Sequence, residues 1–208
     1  EVHCWGSNVA VGLFGAIDRR GAFGRVPYLD AAGGFTSVTE LTAGAHHVCA
    51  LVNGGQVICW GSDDNGRADG RTDGGSSSFC SPGTTTGQNR CTPLTDESDV
   101  LISDAEQIDA GHQVSCAVRT SGEVFCWGRN TNRALGLTSS TSTIARRTIP
   151  DITNAEQVVC GESFVCVLRD DCSVACWGDN SRQQISNSVE TSETVPTTIS
   201  GLESIIAI

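Results

Sequence analysis

The sequence predicts an all-β chain built as a stack of repeated hairpin sheets, the arrangement found in propeller blades or a β-solenoid. Three observations carry this reading. The tripeptide Cys-Trp-Gly occurs four times, at Cys4, Cys59, Cys126 and Cys176, and takes up all four tryptophans. Before the last three copies another cysteine stands ten positions earlier, at Cys49, Cys116 and Cys166, and a glycine five positions before that, at Gly44, Gly111 and Gly161. The runs between these anchors are short, rich in Val and Ile and apolar on both faces, so each sheet needs a neighbour on either side.

In chain order, VCALV, SCAVR and VCVLR read as first strands and QVICW, EVFCW and SVACW as second strands of three hairpins. Nine residues separate the cysteines of each pair, which sets them opposite each other across three-residue loops: Asn53-Gly54-Gly55, Thr120-Ser121-Gly122 and Asp170-Asp171-Cys172. Such loops want a positive φ at the third position, which Gly55 and Gly122 supply without steric cost. Cross-strand bridges Cys49–Cys59, Cys116–Cys126 and Cys166–Cys176 follow. The third unit has Cys160 where the others have Ala43 and Ala110, and Cys172 where they have Gly55 and Gly122, which predicts an added bridge Cys160–Cys172. Cys80 and Cys91 share the longest spacer and are expected to close it, leaving Cys4 unpaired in this chain. Trp5, Trp60, Trp127 and Trp177 are expected in the blade core, because one tryptophan per repeat beside a bridged cysteine is explained by packing.

Composition narrows the function. Eleven cysteines among 208 residues, without paired C-x-x-C knuckles, favour disulfides in an oxidising compartment over zinc, and hence a secreted or cell-surface protein. Asp and Glu number 24 against 13 Lys and Arg, and the net charge of −11 opposes counterion-driven binding to nucleic acid or anionic lipid. No apolar run approaches the roughly 20 residues of a spanning helix, so no membrane insertion is expected. No phosphate-binding loop or nucleophile elbow occurs, and no cofactor is expected. Asp63, Asp64, Asn65, Asp69 and Asp73 lack the spacing of a calcium loop and read as a solvated turn. His46, His47 and His112 begin equivalent hairpins and could line one rim, but no matched carboxylate accompanies them.

After each tryptophan the chain runs WGSNVAVGLFG, WGSDDNGRADG, WGRNTNRALGL and WGDNSRQQISN. With AGAHHVCAL upstream, this resembles the regulator of chromosome condensation repeat family in its Cys-containing form. The resemblance implies a β-propeller, with Asn8, Asn130 and Asn180 on the family asparagine and His47 on a structural histidine that packs and hydrogen-bonds within a blade. It also implies blades of roughly fifty residues, usually seven to a ring. The chain therefore reads as one repeat domain, an incomplete ring or a fragment of a longer repeat protein. Residues 1–36 form the end of a cut blade, 37–103 a blade with a disulfide-stapled insertion at 71–96, 104–153 and 154–200 two further blades, and 201–208 the start of the next.

No acid, base or nucleophile recurs or clusters, so a non-enzymatic scaffold is expected, binding a protein or glycan through its loops. The candidate binding loop is the insertion, whose Arg67, Arg71, Phe79 and Arg90 stand among Gly and Ser. The alternative is a structural subunit of an extended assembly or filament, self-associating through open repeat edges.

Overall fold

The computed structural model describes residues 37–61, 93–138, 144–202 and 204–208, and the backbone of short strand pieces at 3–4, 24–25, 80–81 and 90–91. In chain order the strands are β1 (His3–Cys4), β2 (Gly24–Arg25), β3 (Val38–Ala43), β4 (His47–Val52), β5 (Gln56–Gly61), β6 (Cys80–Ser81), β7 (Arg90–Cys91), β8 (Ala105–Ala110), β9 (Val114–Arg119), β10 (Val124–Arg129), β11 (Ile144–Thr148), β12 (Ala155–Cys160), β13 (Phe164–Arg169), β14 (Val174–Asp179) and β15 (Ser192–Thr198). Three antiparallel meanders result: β3-β4-β5, β8-β9-β10-β11 and β12-β13-β14-β15. We call them blades 1, 2 and 3. The inner strands β3, β8 and β12 stand side by side, as at the axis of a β-propeller, and among the described residues the blades do not close a ring.

Each hairpin has the expected loop. Gly55, Gly122 and Cys172 hold the third loop position at φ of 128°, 76° and 64°, and the N–H of each donates to the carbonyl three residues before it. The cysteines therefore face each other directly, Cys49 opposite Cys59, Cys116 opposite Cys126 and Cys166 opposite Cys176. All three pairs are bonded, with Cα atoms 4.1 Å apart. That is close to the shorter of the two cross-strand separations in an antiparallel ladder, where side chains lie nearest each other.

Cys160 and Cys172 are free thiols, which corrects the expected fourth bridge. Cys160 ends β12 opposite Val165, at one end of the sheet, while Cys172 sits in the turn beyond Arg169, at the other end. A six-residue strand at about 3.3 Å per residue keeps them far outside the roughly 4.4–6.8 Å between Cα atoms that a disulfide requires. The backbone places Cys80 opposite Cys91 and Cys4 opposite Gly24, but those side chains lie outside the described residues.

The core lies between blades. Cys49, Cys59, Leu51 and Val57 of blade 1 cluster with Ile108, Ala117, Phe125 and Trp127 of blade 2. Cys116, Cys126 and Val118 of blade 2 cluster with Val158, Val167, Ala175 and Trp177 of blade 3. Blades 1 and 2 thus each lay their disulfide against the tryptophan of the next blade, and Trp60, Trp127 and Trp177 are at most 1% exposed. Trp5 lies outside the described residues.

The conserved spacing of glycine and cysteine within the repeat has a direct cause in this stacking. A Cβ on Gly111 would lie 2.1 Å from the Gly161 carbonyl oxygen, and one on Gly44 would lie 2.2 Å from that of Gly111, so only glycine lets successive inner strands touch. The glycine of Cys-Trp-Gly has a second cause: Gly128 has φ 117°, and its Cβ would meet the Gln113 carbonyl at 2.3 Å.

Candidate functional site

Most side chains that the repeat singles out are spent on the fold. Asn130 is buried; its Oδ1 accepts from the Leu135 N–H at 3.0 Å and its Nδ2 donates to the Leu137 carbonyl at 3.1 Å. Asn180 organises the equivalent loop of blade 3 through Ile185, Ser186 and Glu190. Trp177 Nε1 donates across the seam to the Ala134 carbonyl at 2.8 Å. Asn8 lies outside the described residues.

His47 is fully buried, with Nε2 2.6 Å from Ser115 Oγ. This bond crosses from blade 1 into blade 2. A Ser–His pair at this distance has the geometry of a nucleophile and base, but both residues are 0% exposed, so no substrate reaches them. His46 and His112 do meet on one rim, edge to face with ring centroids 5.7 Å apart. Among the described residues no three side chains are grouped to hold a metal ion. Burial, with Asp109 adding to it, pushes the Cys160 thiol well above its ordinary pKa, so it is protonated and a poor nucleophile.

The opposite rim carries the hairpin tips and the end of the blade 1 insertion. Leu94, inside the stretch expected to be a removable loop, is 1% exposed, and its N–H donates to the Val57 carbonyl at 2.8 Å. Ile149 makes the same bond to Val124, and Ile199 to Val174, so Leu94 closes blade 1 as they close blades 2 and 3. The insertion boundary therefore falls before Leu94. Its hydrophobicity and the preceding Pro93, matching Ile149 beside Pro150, were the available signal.

Between Leu94 and the buried Ile102 a small hairpin projects, held by pairing of Thr95 with Leu101. The Asp96 carboxylate accepts from the N–H groups of Ser98 and Val100 at 2.9 and 3.0 Å, which fixes the turn in the manner of an Asx motif. Arg146 on β11 of blade 2 ties the hairpin down, donating to Asp99 Oδ1 at 2.8 Å and to the Thr95 carbonyl and hydroxyl. Val100 and Leu101 are left 60% and 42% exposed. Around them the same rim carries Glu97, Asp104, Glu123, Asp151, Asp170 and Asp171, with Asp104 paired to Arg119 at 3.0 Å. Arg67, Arg71 and Phe79, and the side chain of Arg90, lie outside the described residues, as does the Asp63–Asp73 cluster.

A family model for the regulator of chromosome condensation (RCC1) repeat matches residues 38–67, 105–133 and 155–184, and a second model of the same description matches 121–168. The chain is similar to protein pim1 of Schizosaccharomyces pombe, at 28% identity over 142 residues, which is 65% of this chain and 25% of that protein. Among solved structures it is similar to yeast RCC1 (Prp20) in its complex with Kap60, with a TM-score of 0.64 at 15% identity over 90% of this chain and 42% of that one. Human WBSCR16 gives 0.60 at 20% identity over 86% and 40%. The chain spans about a quarter of the length of the curated relative and two fifths of the solved structures.

Proposed function

Since this chain belongs to the regulator of chromosome condensation (RCC1) repeat family, we propose that it is a non-catalytic scaffold whose hairpin-tip rim binds a protein partner. The observation that carries this is the 95–101 hairpin, which presents exposed Val100 and Leu101 in an acidic surround while the repeat-defining side chains beside it are consumed in packing. An apolar pair ringed by charge is the composition of a protein contact, with the ring giving orientation and on-rate and the apolar centre giving affinity. The complementary partner surface is basic with an apolar patch. A protein is favoured over a glycan because Trp60, Trp127 and Trp177, which would serve as stacking platforms, are buried. The three bridges support an oxidising compartment, secreted or at the cell surface.

The test compares partners captured by the chain and by Val100→Ser/Leu101→Ser. Loss of a salt-sensitive partner with an unchanged melting temperature is the expected result. Equal capture by both removes the hairpin from the interface. A drop in the chain's own mass by light scattering, seen only in the variant, would instead mean that the hairpin joins copies of this chain.

A further inference from the structure

We propose that His46 and His112 form a two-histidine site for a divalent transition-metal ion of the zinc class, bridging blades 1 and 2 on the rim opposite the hairpin tips. The inference stands apart from partner binding on the other rim. His46 lies in the turn between β3 and β4, and His112 in the turn between β8 and β9. Their rings meet across the seam with centroids 5.7 Å apart and planes inclined at 72°. Two imidazoles on one zinc ion, with Zn–N bonds of about 2.0–2.1 Å and a near-tetrahedral angle, stand with centroids roughly 5–6 Å apart. The pair is at chelating distance.

The backbone holds both turns in place. Gly44 N–H donates to the His47 carbonyl at 2.9 Å and Gly111 N–H to the Val114 carbonyl at 2.8 Å, which closes each turn on itself. Across the seam the Ala45 N–H donates to the Gly111 carbonyl at 3.4 Å, joining the residues that immediately precede the two histidines. Little reorganisation is then needed to bring both ligands to one ion.

The repeat does not require histidine at either position. Its register sets Gln113 and Ser163 where His46 stands, and Ala45 and Glu162 where His112 stands. Both histidines are half-buried, and among the described residues neither ring is hydrogen-bonded to the protein. His112 Nδ1 is buried without a partner, and coordination would satisfy it. His47, by contrast, is turned to Ser115 and is no part of the site. Imidazole nitrogen suits zinc, copper and nickel ions, and with two protein donors the remaining positions fall to water, which leaves the ion open to the rim. A net charge of −11 favours the approach of a cation.

Zinc chloride added to the whole chain at neutral pH in a non-chelating buffer is the probe, read from the histidine ring signals by NMR. Those of His46 and His112 should move together along one titration curve while those of His47 stay in place. For affinities, every chain carries Cys172→Ser so that the exposed thiol does not compete. His46→Gln and His112→Ala, each introducing a residue that another copy of the repeat holds at that position, should each weaken zinc binding at least about tenfold, the loss that even an outer-shell partner of a ligand causes. The double variant should lose no more than either single one. Zinc should also raise the melting temperature of the parent but not of the variants, because the ion binds only the folded seam. Movement of one ring alone or of neither, unchanged affinity in either variant, or two additive losses in the double variant would each overturn the proposal. The ring signals are read on the unsubstituted chain, so the test survives a variant that fails to fold.

Discussion

Trp127 packs against Phe125 of its own blade, ring centroids 6.1 Å apart, and closes the cluster that holds the Cys49–Cys59 bridge. Its burial is complete, so truncation leaves a cavity as well as losing transfer free energy. Trp127→Ala should cost about 3–5 kcal/mol in a thermal or denaturant melt. A variant that melts like the parent would show that the seam collapses freely around this position. Asn130 works differently, through bonds that substitute for secondary structure in the loop after β10. Asn130→Ala strands the buried Leu135 N–H and should cost about 1–3 kcal/mol by the same measurement, even though it removes little apolar surface.

At the scale of the strand and the hairpin, the cysteines divide by position. Among cysteines whose side chains are described, those opposite each other on neighbouring strands are bonded, whereas Cys160 and Cys172, placed at opposite ends of the blade 3 sheet, are not. Cys172 is exposed on a hairpin tip; Cys160 is half-buried, with its thiol pKa raised. Alkylation of the native protein followed by non-reducing peptide mapping should label Cys172 within the time that leaves Cys160 untouched, and unfolding should make both react. A Cys160–Cys172 linked peptide from freshly purified protein would contradict the structure. These outcomes follow from strand geometry, because a strand of six residues separates its ends by several times the span of a disulfide.

Over the described residues, the blades are joined by side chain to backbone bonds that recur at equivalent positions of the repeat. Gln107 reaches Val158 and Asp109 reaches Cys160 over 51 positions, and Glu40 reaches Ile108 over 68. Ile205 and Ile208 depart from that order. Repeat alignment sets Ile205 where Val158 stands, yet the residue that takes the Gln157 bond is Ile208, and Ile205 packs instead against the cluster of Leu168, Val174, Cys176 and Ile185. The 95–101 hairpin is likewise a whole-molecule feature, since it leaves blade 1 and is anchored on blade 2 by Arg146. That anchor is a surface ion pair with Asp99 70% exposed, worth at most about 1 kcal/mol, so the hairpin's position depends as much on Leu94 and Ile102 in the core beneath it.

The sequence by itself determined what is local to one hairpin: three strand pairs, three-residue loops, three bridges and the burial of the tryptophans beside them. Ten-residue spacing and two-residue alternation leave little freedom in a ladder, so those features follow from the chain over short stretches. Only the tertiary structure decided which blade each side chain serves. His47 bonds Ser115, Trp177 bonds Ala134, Leu94 closes a blade and Glu40 bonds to the next one, because these contacts depend on how whole sheet faces meet. The same holds for Cys160. Its residue type suggested a partner by elimination, but the length of the strand before its nearest unpaired cysteine, set by the blade as a unit, denied it one.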